Sequence, residues 1–366
     1  MRRSVLTGLT AVALMAVVSR AQAQESYRIS GDDVAIYNLA GQVDIVRGSG
    51  SEVVVRVTRG GADAARLGVE VGTVQGREAL RILYPDDQIV YSEMGRGSRT
   101  TVRVRQDGTF FGDRGRGGDR VEIRGSGSGM EAWADLRIEL PPGRDFTLYL
   151  AVGDSEVRGI SGNIDLDTGS GSVVVDDVTG SLTVDTGSGS VDVSNVGGPV
   201  IVDTGSGRTS VSGVEGDVRV DTGSGSVTIE GVRGDVVDLD TGSGGVRGGG
   251  IRAGFLRVDT GSGSIELDEV SAPEVEVDTG SGSVDLTLLL DVERLEVDTG
   301  SGSVTIRAPG DFGGQVEIET GSGGIETDFP VQVRSMRRDL LRGAIGDGRG
   351  EIRIDTGSGG VRLIRN

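Results

Sequence analysis

The chain has 366 residues, a formal net charge of −19, and neither histidine nor cysteine. These absences exclude disulfides, thiol or histidine catalysis and zinc sites built on those side chains, and the acidic balance argues against nucleic acid as a partner. Glycine accounts for 65 residues and aromatic residues for only 3%, so small β-branched side chains must supply the core.

Residues 1–23 have the pattern of a secretory signal peptide. Arg2 and Arg3 precede an apolar stretch, and Ala21-Gln22-Ala23 has the small-x-small form of a cleavage site. The apolar stretch is too short to predict a membrane span. We therefore predict an exported protein, periplasmic or extracellular and exposed at the cell surface, with no membrane span after cleavage.

Residues 24–150 are predicted to form an irregular β-rich region that caps one end of the molecule. Short apolar alternations predict strands at residues 43–46, 53–57, 80–83, 102–104, 121–123 and 136–140.

A Gly/Arg-rich insert occupies residues 94–129 of this region. Its arginines could form a nucleic-acid arm or lie on a long hairpin or loop. Four acidic residues offset the positive charge, and the whole chain is acidic, so we favour the hairpin or loop. The acidic residues are Asp107, Asp113, Asp119 and Glu122, and the arginines are Arg96, Arg99, Arg103, Arg105, Arg114, Arg116, Arg120 and Arg124.

Residues 151–366 carry a tandem repeat. Its signature is a corner motif, Asp-Thr-Gly-Ser-Gly with Glu in one copy, that starts at residues 167, 185, 203, 221, 240, 259, 278, 298, 319 and 355. Such a period is typical of solenoids. The last interval, 36 residues, is twice the first, 18, which predicts that one motif was lost or overwritten there. Residues 328–350 interrupt the repeat, and 335–342 are predicted to be helical. At the C-terminal end of the solenoid, Arg362 and Arg365 are expected to discourage pairing of a free edge with other chains.

The sequence of each coil, 18–21 residues long, predicts two or three short strands. In the coil that begins at Gly180, Leu182 and Val184 alternate with polar residues before the corner motif, and Val191 and Val193 alternate after it. A single coil cannot bury its valines, but stacked coils can. We therefore predict a parallel β-solenoid, or β-helix, with right-handed winding favoured. The Asp row is expected to face outward, and the following Thr to point inward or cap the bend.

The Asp row has two interpretations. In the first, each Asp caps its own corner by accepting backbone N–H groups of the following Gly and Ser. In the second, the row holds Ca²⁺ through hard oxygen ligands. The calcium candidates are Asp185, Asp203, Asp221, Asp240, Asp259, Asp278 and Asp298. We predict no other cofactor and no catalytic residue.

Three further interpretations of the repeat are less consistent with the sequence. Aspartic proteases use two such carboxylates around one water, and ten copies cannot all be active sites. An ice-binding Thr array would be disturbed by the adjacent Asp. A sugar lyase would need loops that break the repeat, and between residues 160 and 327 the loops are short, with only Phe255 and Phe312 available to stack on a sugar.

The chain resembles a bacterial β-strand-repeat family whose members carry an adhesin label. The resemblance rests on the signal peptide followed by Gly41-Gln42-Val43-Asp44-Ile45, on Leu136-Arg137-Ile138-Glu139-Leu140-Pro141-Pro142-Gly143 leading into Val152-Gly153-Asp154-Ser155-Glu156-Val157, and on the repeats ending in Gly343-Ala344-Ile345-Gly346-Asp347-Gly348. It implies an exported β-solenoid and brings no catalytic residues.

These observations predict a non-enzymatic, exported β-solenoid that acts as an adhesin or as a structural or binding module of the cell envelope. Expected partners are glycans, envelope components or a second copy of the chain. The alternative is a polysaccharide lyase or hydrolase built on the same scaffold.

Overall fold

The computed structural model describes residues 24–111 and 117–366 and consists almost entirely of β-strands. The predicted signal peptide and five residues of the Gly/Arg-rich insert, 112–116, lie outside the described residues; Asp113, Arg114 and Arg116 are among them. Within these two ranges the helices are two single-turn 3₁₀ helices, Ala64–Arg66 and Ser92–Met94, and no helix is long and apolar enough to cross a membrane. The predicted all-β class is confirmed.

The N-terminal part contains eleven strands among the described residues. They are β1 Gln24–Ile29, β2 Asp33–Ala40, β3 Val43–Arg47, β4 Val53–Gly60, β5 Gly68–Val74, β6 Arg77–Leu83, β7 Gln88–Val90, β8 Arg99–Val104, β9 Asp119–Arg124, β10 Met130–Glu131 and β11 Trp133–Leu140. Each of the six strands predicted from the sequence in this region overlaps one of them.

The repeats follow as alternating strands. They are β12 Asp145–Val152, β13 Ser155–Ser161, β14 Ile164–Ser170, β15 Val173–Thr179, β16 Leu182–Ser188, β17 Val191–Gly197, β18 Val200–Thr204, β19 Thr209–Glu215, β20 Val218–Thr222, β21 Val227–Arg233, β22 Val236–Thr241, β23 Val246–Gly249, β24 Phe255–Thr260, β25 Ile265–Val270, β26 Glu274–Thr279, β27 Val284–Leu288, β28 Arg294–Thr299 and β29 Val304–Ala308.

Every coil of this region adds one strand to each of two parallel sheets. Even-numbered strands from β12 to β28 lie in one sheet, which we call the acid sheet, and odd-numbered strands from β13 to β29 lie in the opposite sheet. Over the described residues the acid sheet has 16 strands and the opposite sheet 15. The predicted parallel β-solenoid is therefore confirmed, with two strands per coil, whereas its handedness stays a prediction.

The core between the sheets is aliphatic because the strands alternate. Leu182 and Val184 of the acid sheet are buried. In the opposite sheet Val191 and Val193 alternate normally, but Asn195 has φ 56°. This left-handed residue shifts the alternation, so that Val196 also points inward. This coil therefore buries three apolar side chains from the opposite sheet, Val191, Val193 and Val196.

The first coil of the solenoid is separated in sequence from the second. Strands β2 and β3 stack directly on β12 and β13, with Tyr37 opposite Tyr149 and Ile45 opposite Val157. Strands β6 and β11 extend the two sheets beyond that coil, and β7–β10 form a small third sheet. Strand β12 spans residue 150, where the sequence suggested a boundary, and the division into residues 24–150 and 151–366 stays a prediction.

The C-terminal coil does not stack in sequence order. The last strands are β30 Gly314–Thr320, β31 Ile325–Thr327, β32 Val331–Met336, β33 Leu340–Ile345, β34 Gly350–Thr356 and β35 Val361–Arg365. Strand β34 lies between β28 and β30, and β35 lies between β29 and β31. The doubled interval before Asp355 therefore reflects a return of the chain into a position left open, and the prediction of a lost motif is wrong.

Two other predictions for this end are wrong. Residues 335–342 are not helical, because β33 pairs with both β30 and β32 and covers the edge of β30 with buried Leu341. Arg362 and Arg365 do not protect a free end, because β35 is internal. Arg362 lies opposite Thr305 on one side and Glu326 on the other.

Candidate functional site: the acid row and the pocket at its end

All ten corner motifs align on the acid sheet. Each carboxylate lies opposite the carboxylate of the neighbouring coil, so the side chains form one line, the acid row, on the outer face. From the N-terminal end the row runs Asp167, Asp185, Asp203, Asp221, Asp240, Asp259, Asp278, Asp298, Asp355 and Glu319. The predicted outward row is confirmed, and Asp355 precedes Glu319 in space although it follows it in sequence.

The acid row holds like charges at the spacing of parallel strands, about 4.8 Å, where two carboxylates repel by about 1 kcal/mol in water. Desolvation, together with the charge of Asp259, raises the pKa of Asp240 and of Asp278. Desolvation and the adjacent Asp355 likewise raise the pKa of Asp298. Arg257 offsets part of this charge, with its Nη2 atom 3.5 Å from Oδ2 of Asp259. The row is therefore a line of crowded carboxylates that favours protons, cations or basic partners.

At Thr241, Thr260 and Thr356 the Thr of the corner motif caps the bend, and the predicted Asp cap is not the one observed there. Thr260 donates to the Gly244 carbonyl at 2.8 Å and accepts the Gly263 N–H at 3.0 Å. The first Gly of the motif donates to the preceding coil, as Gly261 does to the Thr241 carbonyl at 3.1 Å. These bonds use the N–H groups that an Asp cap would need.

The Thr row also lies inside the protein. Thr222, Thr241, Thr260 and Thr279 are all 0% exposed. An ice-binding array needs these side chains on the surface, so that interpretation is wrong.

The calcium candidates Asp185, Asp203, Asp221, Asp240, Asp259, Asp278 and Asp298 all belong to the acid row. They form a line and not a cluster: over residues 24–111 and 117–366, no three His, Cys, Asp or Glu side chains converge as a metal site would require. Calcium bound between neighbouring coils stays a prediction.

A cavity with a volume of ≈ 520 Å³ lies at the N-terminal end of the acid row. Its floor is the outer face of the acid sheet, where Tyr37 and Tyr149 continue the line of the acid row before Asp167 and Asp185. Asp165 of the neighbouring outer row also lines it. We call this cavity the N-terminal pocket.

The two tyrosines form an aromatic platform. Their rings stack with centroids 4.5 Å apart and an interplanar angle of 10°, and Phe110 meets Tyr37 edge-on at 5.9 Å. Desolvation, with a contribution from Tyr149, raises the pKa of Tyr37 to about 12. Both phenols therefore remain protonated at neutral pH and can donate hydrogen bonds.

Two arginines reach the N-terminal pocket from outside the repeats. Arg77 at the start of β6 donates from Nη2 to Asp33 Oδ1 and to Thr147 Oγ1, both at 2.6 Å. Arg105 donates to Thr109 Oγ1 and to the Phe111 carbonyl, both at 3.1 Å. These bonds fix the guanidinium groups while leaving other N–H groups available.

Phe111 closes part of the pocket in a strained conformation. Its φ is 56°, a region that bulky residues rarely occupy. A Cβ added at Gly169 would lie 3.3 Å from Phe111 Cζ, so the ring tip rests on the glycine of a corner motif. Gly169 therefore serves both the bend of its corner motif and the packing of Phe111.

Sequence reasoning did not identify this pocket. Tyr37 lies opposite Tyr149 because β2 pairs with β12. About a hundred residues separate these two strands in the sequence, so no local sequence pattern predicts the pairing. The one available signal was Phe110-Phe111, an aromatic pair in a chain with only 6 phenylalanines.

The fold and the aligned corner motifs define a two-sheet β-solenoid that carries an acid row. Residues 198–363 match the family model described as Toastrack DUF4097, which confirms the predicted resemblance to a β-strand-repeat family. Curated proteins give no match. A solved structure described as a "putative cell adhesion protein" from Clostridium sporogenes aligns over 94% of this chain and 99% of that chain, with 10% identity and a TM-score of 0.18. A TM-score this low carries no argument about the present chain.

Proposed function

We propose that the protein is a non-enzymatic, exported module of the cell envelope that acts as an adhesin or as a structural or binding element. The observation that carries this proposal is the acid row, in which ten corner carboxylates stand in register on one face. A rigid, periodic face suits repeated weak contacts with an extended partner, because linked contacts raise the overall affinity.

The repetition itself supports a role in binding. A catalytic site concentrates a few differently tuned groups around one reacting atom, whereas this face offers the same carboxylate at every coil. Glycans that carry amino groups, basic envelope components and a basic surface on a second copy of the chain all complement it.

The test is a binding screen of the purified chain against glycans and envelope fractions, with and without calcium. An acid-row variant replaces four carboxylates, Asp221→Asn, Asp240→Asn, Asp259→Asn and Asp278→Asn. Its control makes the same charge change on the opposite sheet, Asp192→Asn, Glu215→Gln, Glu230→Gln and Glu266→Gln.

We expect binding by the wild type and the control and a loss of about tenfold or more in the acid-row variant. Equal binding by both variants would contradict the proposed role of the row. Incubation with acidic polysaccharides tests the alternative activity, and new reducing ends or unsaturated products would show that the protein is an enzyme.

A further inference from the structure

We propose that the N-terminal pocket binds a neutral saccharide. This deepens the proposed function, on which it rests, by naming a ligand class for one defined site at the end of the acid row.

The charges that line the pocket exclude strongly charged ligands. Three carboxylates, Asp165, Asp167 and Asp185, stand on the sheet, while two guanidinium groups, Arg77 and Arg105, stand on the wall. A cationic ligand would meet two guanidinium groups and an anionic ligand would meet the carboxylates, and like charges placed together are unfavourable. Arg77 also acts directly on Asp165 and opposes the effect of desolvation on its pKa, so the opposite charges already offset one another.

The same groups complement hydroxyls. A carboxylate only accepts hydrogen bonds and a guanidinium only donates them, whereas each sugar hydroxyl does both. Carboxylates and guanidinium groups on facing sides of one cavity can therefore hold neighbouring hydroxyls of a sugar ring.

The aromatic groups supply the remaining surface. Tyr149 lies in the floor and Phe111 in the wall, and such rings offer an apolar face for C–H groups with polar atoms close by. The volume of ≈ 520 Å³ lies within the range of small-molecule sites, about 300–1,000 Å³. Carboxylates, fixed arginines and aromatic rings around one such cavity match a ring that is polar at its edge and apolar on its faces.

The experiment is a calorimetric titration of the purified chain with defined probes. The neutral probes are the methyl glycosides of glucose, galactose and mannose, N-acetylglucosamine, cellobiose and maltose. Glucuronic acid, glucosamine and glycine betaine represent anionic, cationic and zwitterionic ligands. Two pocket variants are compared, Arg105→Gln and Phe111→Ala, with Arg257→Gln on the same face as the matched control. The thermal unfolding of every variant is measured to show that it is folded.

We expect at least one neutral saccharide to bind more tightly than the three charged probes. Both pocket variants should weaken this binding by about tenfold or more, and Arg257→Gln should leave it unchanged. Failure of every neutral probe to bind, tighter binding of a charged probe, or unchanged affinity in folded pocket variants would overturn the proposal. If the chain binds envelope fractions in the acid-row screen while these titrations fail, the saccharide site is wrong and the proposed function stands.

Discussion

The threonine hydroxyl of the corner motif is hydrogen-bonded in some coils and without a partner in others. In the coils nearest the N-terminus, the hydroxyls of Thr168, Thr186, Thr204 and Thr222 are buried without a hydrogen-bond partner among the described residues. From Thr241 to Thr299, and again at Thr356, the hydroxyl donates to a glycine carbonyl of the adjacent coil. The bend conformation changes within the first group: Gly207, in the corner of Thr204, has a φ of 142°, whereas Gly225, in the corner of Thr222, does not have a positive φ.

This difference predicts opposite effects of one substitution. Thr260→Val removes the acceptor of the buried Gly263 N–H and should lower the free energy of unfolding by about 2 kcal/mol. Thr204→Val replaces an unpartnered hydroxyl by a methyl group and should be neutral or stabilising by up to about 1 kcal/mol. Urea unfolding of both variants checks the prediction, and equal destabilisation would contradict the assigned hydrogen bonds.

The second glycine of the motif is required by the distance between stacked coils. A Cβ at Gly282 would lie 1.8 Å from the Gly263 carbonyl oxygen, whereas one at Gly324 would meet nothing within 4 Å. Gly282→Ala should therefore destabilise the protein by about 3 kcal/mol, and Gly324→Ala should change stability by less than about 1 kcal/mol. Similar melting temperatures for the two variants would show that the coils are not packed this closely.

At this scale the sequence predicted part of the site. The alternation around Val184 placed Asp185 outside, as observed, but left Thr186 either pointing inward or capping the bend; the structure buries it. It did not show which group caps the corner, because Asp and Thr both form such caps. In the structure the Gly N–H groups already donate to the preceding coil or to the Thr hydroxyl, so they are not available to the Asp carboxylate.

At the scale of structural elements, the acid row makes stability depend on pH. Desolvation and neighbouring carboxylates raise the pKa of Asp185, Asp240, Asp278 and Asp298. In the folded chain these groups bind protons at a pH where the unfolded chain has already lost them. Their ionisation therefore opposes folding above the raised pKa, and this penalty disappears as pH falls toward the ordinary value of about 3.9.

We therefore expect the melting temperature to rise as pH is lowered from about 7 through the raised pKa values of these carboxyls. Carboxyls with lowered pKa, such as Asp107 and Asp176, lose their stabilising effect only nearer to and below their ordinary value, so they do not reverse the trend in this window. The four-residue acid-row variant should respond less to pH, and the control on the opposite sheet should keep the wild-type response. A melting temperature that falls steadily over this range would contradict the crowding of the row.

Calcium provides a second test of the acid row. If the ion binds between coils, millimolar calcium should raise the melting temperature of the wild type, because a ligand that binds only the folded state stabilises it. The acid-row variant should lose this rise and the opposite-sheet control should retain it. No shift in the wild type at millimolar calcium would reject the calcium interpretation.

The whole molecule is a solenoid whose two ends are completed by segments distant in sequence. The period of the corner motif predicted stacked coils, and the alternation predicted their parallel strands. The order of the last coils could not be predicted, because Asp298, Glu319 and Asp355 carry the same motif and pair equally well with any neighbour. The hairpin formed by β32 and β33 packs against one edge of β30. The other edge of β30 faces β28, and β34 of the final coil lies between them.

The order of the strands also locates the edge of the acid sheet at the C-terminal end of the solenoid. Strand β32 ends this sheet, and its Val333 and Met336 are 51% and 66% exposed. The free edge is thus a short antiparallel strand, whereas the regular corner motifs stay inside the stack. This arrangement protects the repeats from pairing with other chains end to end.

The most direct test of the account is cross-linking between corners of the acid row. The chain has no native cysteine, so pairs can be introduced cleanly. Asp298→Cys with Asp355→Cys places the two thiols on neighbouring strands, about 4.8 Å apart, within the Cα separation of disulfides. Asp298→Cys with Glu319→Cys places them two strands apart, at about 10 Å. We predict rapid disulfide formation in the first pair and little in the second, whereas the reverse result would show that the coils stack in sequence order and contradict the structure.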